Sequence, residues 1–258
     1  MIGLGALWAM AWNGYREARR NRVTVVVAGF AIVMLLSTTL VADVTVWTFD
    51  RVLTDFGLSV MGFILVGLAI YLSCGLLPKE IERRTIFLVV SRPVSRTQFL
   101  IARLAGNMLT LVILMAGMFA VMATQLIALH SPVTQPMIAS LFGLAMELLV
   151  LSAAGFFFSS FSGQVVSVIC TVALYFSGHL SIELWRLAGQ SDVALTRRIF
   201  KAVFYLLPNL ERLNFRPFAS YATRVPGEMI GSGLAYGFCY AAVLVVLACL
   251  IFERRDFK

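Results

Sequence analysis

Charge is scarce in this 258-residue chain. Only 13% of its residues are Asp, Glu, Lys or Arg, against about a quarter in a soluble domain. Hydrophobic residues make up 60%, and the mean hydropathy is +0.90. A single globular core cannot hide that much apolar surface, so much of the chain is expected to have lipid as its solvent. Histidine is scarcer still: His130 and His179 stand alone and are read as interfacial polar residues. Cys74, Cys170, Cys239 and Cys249 lie in apolar stretches without CxxC spacing and are read as small buried hydrophobes. No GxxxxGK[ST] sequence occurs, which excludes nucleotide binding by a P-loop, and neither HExxH nor GxSxG is present. A membrane-embedded enzyme is disfavoured accordingly. Any energy the chain draws on would then come from another polypeptide or from a gradient. No repeat, low-complexity tract or linker divides the sequence, so residues 1–258 are expected to form one transmembrane domain.

What the chain has in abundance is long apolar runs. Six are long enough to span a bilayer: roughly Val23–Ala42, Leu58–Leu77, Leu104–Leu129, Met137–Phe158, Val165–Ile182 and Met229–Phe252. Ser177, His179 and Glu183 thin the far end of the fifth. The expected fold is an all-α integral membrane protein of six spans. Before the first, Leu4, Leu7, Trp8, Ala11 and Tyr15 recur at helical spacing, which suits an interfacial amphipathic helix. Arg16, Arg19, Arg20 and Arg22 follow that apolar stretch, the reverse of a signal peptide.

The net charge of +8 is assigned to cytoplasmic loops and anionic lipid rather than to nucleic acid. With both termini inside, the inner segments hold Arg16, Arg19, Arg20, Arg22, Lys79, Arg83, Arg84, Arg92, Arg96, Arg103, Arg254, Arg255 and Lys258, thirteen of the 21 basic residues. The short outer loop 130–136 holds none. The long segment after span five holds most of the rest and is the main counterweight to this orientation. In it Leu195, Ile199, Val203 and Leu206 share one helical face, and Arg197, Arg198 and Lys201 the other. Ser191 or Asp192 can cap the start of this helix and Pro208 helps end it. An outer interfacial helix is expected over this stretch, with a short re-entrant pair as the alternative.

Glu147 is the one acid near the middle of a span, and Gln125 the most notable uncharged polar residue of span three. An ionisable group in hydrocarbon is costly and faces a bundle interior or an aqueous path. Glu147 therefore either lines a pathway, with Gln125 as a second candidate lining residue, or is a structural group, protonated or hydrogen-bonded to a neighbouring helix. Gly233, Gly237 and Ala241, and likewise Ala116, Ala120 and Thr124, lie four apart and would let helices approach closely, within the subunit or across a dimer.

Residues 78–103 break the apolar pattern. Pro78 favours a stop after span two, and Lys79 to about Val90 can form a short helix with Glu80, Arg83 and Arg84 on one face and Ile81, Thr85 and Leu88 on another. Arg92-Pro93 is an extended break, and Ser95 to Gln98 fits a capping box that opens a helix into span three. A solvated loop with ordinary positive-inside charge is the plain alternative. This stretch, with Glu80, Glu82, Arg83, Arg84, Thr85 and Ile86, then Leu88, Val89 and Val90, then Ser91-Arg92-Pro93-Val94-Ser95-Arg96, resembles the cytoplasmic coupling segment of ABC-2 type transporter permeases. The ending Phe252 to Phe257 and the N-terminal amphipathic stretch resemble that family too. The six-span arrangement is similar to its subgroup containing the permease of the nitrous oxide reductase maturation system.

The resemblance implies a non-enzymatic subunit of a bacterial inner-membrane exporter. A separate ABC ATPase dimer would bind ATP and Mg, and a second permease copy or a paralogue would complete the pathway. Glu80, Glu82, Arg83 and Arg84 would make the charged contacts to the ATPase, with Ile81, Ile86 and Phe87 supplying apolar ones and Thr85 lying within the same docking stretch. An extracytoplasmic partner protein would meet the outer segment. The competing expectation is a stand-alone channel or gradient-driven carrier using Glu147.

Overall fold

The computed structural model describes residues 23–44, 49–82, 96–190, 194–221 and 223–254. The expected N-terminal amphipathic helix, the caps Ser191 and Asp192, and the ending Arg255 to Phe257 lie outside them. The described residues are helical and carry no strand. In chain order the elements are α1 (Val23–Val44), α2 (Phe49–Glu82), α3 (Arg96–Ala128), α4 (Gln135–Phe161), α5 (Gln164–His179), α6 (Ser181–Gln190) and α7 (Ala194–Leu206). A 3-10 turn (Leu210–Leu213), α8 (Arg216–Ser220) and α9 (Gly227–Arg254) follow.

Four of these, α2, α3, α4 and α9, are long and apolar enough to cross a membrane. The count reaches five if α5 and α6, bent by 56° at their junction, act as one broken span. Within α1 the apolar helix Val25–Thr39 falls short of that length. The bend follows Ser177 and His179, the polar residues that thin the fifth apolar run. Helix α3 opens at Arg96, directly after Ser95, and α7 ends two residues before Pro208.

Pro78 does not end α2, which continues to Glu82. A proline lacks the N–H that would bond the carbonyl four residues back, here that of Cys74. The Ser159 hydroxyl of α4 gives its single hydrogen mainly to the Gly155 carbonyl of its own helix, at 2.6 Å, and lies 3.5 Å from the Cys74 carbonyl, which it reaches only as a long, shared contact.

Helix α4 is buried over most of its circumference, with Ile138, Phe142 and Phe161 left exposed, as apolar composition on all its faces allows. It packs against α2, α3, α5 and α9, and close van der Waals fit rather than expulsion of water holds such helices together in lipid. Gly233, Gly237 and Ala241 face inward on α9, whereas Ala116, Ala120 and Thr124 are exposed on α3. Cys74 and Cys249 are buried, Cys170 is half-buried and Cys239 exposed, so the reading of all four as buried hydrophobes holds only in part.

The two ends of the bundle differ. At one, Phe99 and Leu100 of α3, Phe156 of α4 and Phe252 of α9 form an apolar cluster. The start of α3 and the end of α9 meet here. At the other end, residues 207–226 fold back among the helices, and Ala139, Phe215 and Val225 form a second cluster.

Candidate functional site

The stretch that the sequence assigns to an outer surface divides in two. Helices α6 and α7 pack side by side, with Trp185 against Phe204 at 5.0 Å between ring centroids and Lys201 over the Trp185 ring at 5.5 Å. Leu195, Ile199 and Leu206 form an exposed stripe, while Val203 turns partly inward. The following residues do not lie on the surface: Leu210, Leu213 and Phe215 are fully buried.

Several contacts stitch this segment into the bundle. The Tyr240 hydroxyl donates to the Leu206 carbonyl at 3.0 Å, and the Asn209 N–H donates to the Tyr236 hydroxyl at 2.8 Å. The Asn209 side chain caps the 3-10 turn by accepting from the Arg212 N–H at 3.3 Å, and the Arg212 guanidinium lies 5.4 Å from the Tyr236 ring. Farther on, the Gln135 amide holds both backbone groups of Val225, accepting from its N–H at 3.2 Å and donating to its carbonyl at 3.4 Å. Ser220 donates to Asp55 of α2 at 2.8 Å. At Gly143 the Leu213 carbonyl and the Phe215 ring approach so closely that a Cβ would collide with them. At Gly62 the guanidinium of Arg216 occupies the corresponding space.

At the centre of this packing lies a charged cluster. Glu147, only 1% exposed, meets the Arg216 guanidinium at 3.3 Å through Oε2 and His179 Nε2 at 2.9 Å through Oε1. The other ring nitrogen of His179, Nδ1, meets Glu211 Oε2 at 3.2 Å, and Asn214 donates to Glu211 Oε1 at 3.1 Å. The Tyr175 ring packs edge-on against the imidazole, 4.8 Å between centroids. Exposure rises outward along the chain of contacts, from 1% at Glu147 to 22% at His179 and 36% at Glu211. The imidazole thus bridges two carboxylates in opposite directions, whereas metal ligation would converge the donors on one point. Among the described residues no group of three His, Cys, Asp or Glu side chains converges in that way.

Glu147 therefore belongs to an internal ion-paired network. His179, read from sequence as a lone interfacial residue, is its central bridge. Gln125 does not join it: both polar atoms of its amide are buried without a hydrogen-bond partner among the described residues. Glu80, Ile81 and Glu82 ride on the last turns of α2. Their side chains, and Arg83, Arg84, Thr85, Ile86 and Phe87, lie outside the described residues. Sequence reading missed Arg216, Glu211 and Asn214 as partners. The available signal was the solitary acid itself, which needs a countercharge within reach.

Comparison with known families gives one match: the family described as "Protein of unknown function (DUF2705)" covers residues 49–258. No curated protein matches the chain.

Proposed function

The chain belongs to the DUF2705 family, and we propose that it is the membrane-spanning permease subunit of an ABC transporter. It would couple ATP hydrolysis by a separate ATPase subunit to export, or to delivery of a substrate outside the cytoplasm. In this reading α1 and the bent α5–α6 pair complete six spans in a bacterial inner membrane, with both termini and residues 83–95 cytoplasmic. The pathway forms with a second copy or a paralogue.

The observation that carries this reading is the mixed-charge sequence between α2 and α3. Glu80 and Glu82 sit on the same continuous helix as the apolar part of α2, so a force applied there passes directly into the bundle. The Phe99–Phe156–Phe252 cluster ties the adjoining helix starts and ends together. The competing carrier reading needs Glu147 open to an aqueous path, and its carboxylate is engaged on both oxygens.

Copurification tests the proposal. The chain, tagged and extracted from its native host, should retain an ATPase, and Glu82→Ala with Arg84→Ala should release that ATPase or abolish substrate-stimulated hydrolysis while the membrane domain stays folded. Recovery without any ATPase, or full coupling in the double variant, would overturn it.

A further inference from the structure

The cluster around His179 contains a proton inventory. Two hydrogen bonds join three groups, Glu147 Oε1 to Nε2 and Nδ1 to Glu211 Oε2, and each bond needs one hydrogen. A neutral imidazole carries one N–H. With both carboxylates ionised it would satisfy one bond and aim a lone pair at the other oxygen. The geometry thus calls for one further proton, held as an imidazolium or as a carboxylic acid and belonging to the trio rather than to a single residue.

Charge counting gives the same answer. Two carboxylates, a neutral imidazole and the Arg216 guanidinium sum to −1, and the further proton brings the cluster to neutrality. Among the described residues, no cation other than His179 and Arg216 forms an ion pair with the two carboxylates. Helix α2 offers Gly62 at the guanidinium, and its Asp55 is engaged with Ser220. Helix α5 offers the Tyr175 ring, and on α9 Tyr236 pairs with Arg212 of the 3-10 turn. Glu183 of α6 pairs with its own neighbour Arg186. A net negative charge in this setting has no partner and is expensive.

We propose that Glu147, His179 and Glu211 form a proton-binding site that fastens residues 208–221 into the bundle. With the proton bound, both hydrogen bonds close and the cluster is neutral. With it lost, one contact becomes repulsive and the segment loosens. Glu211 is the most exposed member of the trio, so water reaches the cluster from its side. Opening releases one proton, so the opening equilibrium shifts by up to about tenfold per pH unit. This inference goes beyond the permease reading and stands or falls without it, since no ATPase enters the test.

Hydrogen exchange followed by mass spectrometry on the full chain in lipid nanodiscs reads this directly. Protection of residues 208–221, normalised to the intrinsic exchange rate, should fall as pH rises from about 6 to about 9, on either side of the ordinary imidazole value of about 6.5. In His179→Gln the slope should vanish. Glu211→Gln gives the sharper result. Its amide donates to Nδ1, a neutral His179 donates Nε2–H to Glu147, and no further proton is needed, so protection should persist at high pH. A flat wild-type profile, a wild-type slope in His179→Gln, or opening of Glu211→Gln in parallel with the wild type would each overturn the proposal. Should His179→Gln fail to fold, the Glu211→Gln comparison decides alone.

Discussion

The Ser159 hydroxyl and the Cys74 carbonyl, 85 positions apart in sequence, meet at 3.5 Å at the point where Pro78 has removed the helical donor. The hydroxyl has one hydrogen and directs it mainly to Gly155 at 2.6 Å, so its contact with Cys74 is a shared one and the coupling of Ser159 to Pro78 is small. Ser159→Ala should cost more in the wild type than in a Pro78→Ala background, where the helix regains its own N–H, by no more than about 0.5 kcal/mol. A double-mutant cycle on detergent-solubilised protein measures the coupling; equal costs in both backgrounds would exclude it.

Arg216 neutralises a carboxylate that is 1% exposed. Arg216→Met should therefore cost on the order of 3 kcal/mol, because it strands Glu147, while Arg216→Met with Glu147→Leu should recover much of that loss. Unfolding titrations of the two single variants and the double variant check this. Additive costs would mean that the pair contributes no coupling.

Glycines of the bundle helices should separate sharply by what surrounds them. Gly143→Ala drives a methyl into the Leu213 carbonyl and should cost about 1–3 kcal/mol. Gly67 has nothing within 4 Å of its would-be Cβ, so Gly67→Ala should be neutral or stabilise α2 by up to about 1 kcal/mol. Thermal unfolding ranks them, and a reversed order would contradict the packing of the 3-10 turn on α4.

The distribution of Lys and Arg sets the expected orientation. In a background without native cysteines, Ser91→Cys should react with an impermeant maleimide only from the cytoplasm and Val133→Cys only from outside. Labelling of both from one side would refute the assignment of opposite faces, and an exchange of sides would invert the topology.

Most helices were legible because apolar runs longer than a bilayer have few alternatives. Local signals placed several boundaries as well: Ser95 before α3, Pro208 after α7, and the thinning at Ser177 and His179 where α5 gives way to α6. Pro78 misled, because α4 and α5, which pack on this part of α2 at Ser73 and Cys74, lie far away in sequence. The cluster was hidden for a related reason. Glu147, His179 and Glu211 are spaced by 32 positions each, and Arg216 is 69 from Glu147, so no local period marks them. The apolar pattern of residues 195–206 marked a surface helix ending at Pro208 and carried no sign that the residues after it leave the surface. Leu210, Leu213 and Phe215 instead turn inward, where Gly143, Gly233 and Gly237 leave room.

The placement of residues 207–226 bears on biosynthesis. The helices on which this stretch rests come from both sides of it: α2, α4 and α5 leave the ribosome earlier, α9 later. Tyr236 and Tyr240, which clasp Asn209 and Leu206, are translated after the residues they secure. The nascent chain therefore carries Glu147 through insertion before Arg216 exists to meet it, and holds Leu213 without its backing until α9 arrives. A chain interrupted ahead of α9 would hold the Glu147–Arg216 pair but leave Asn209, Leu206 and Leu213 without the partners that α9 supplies.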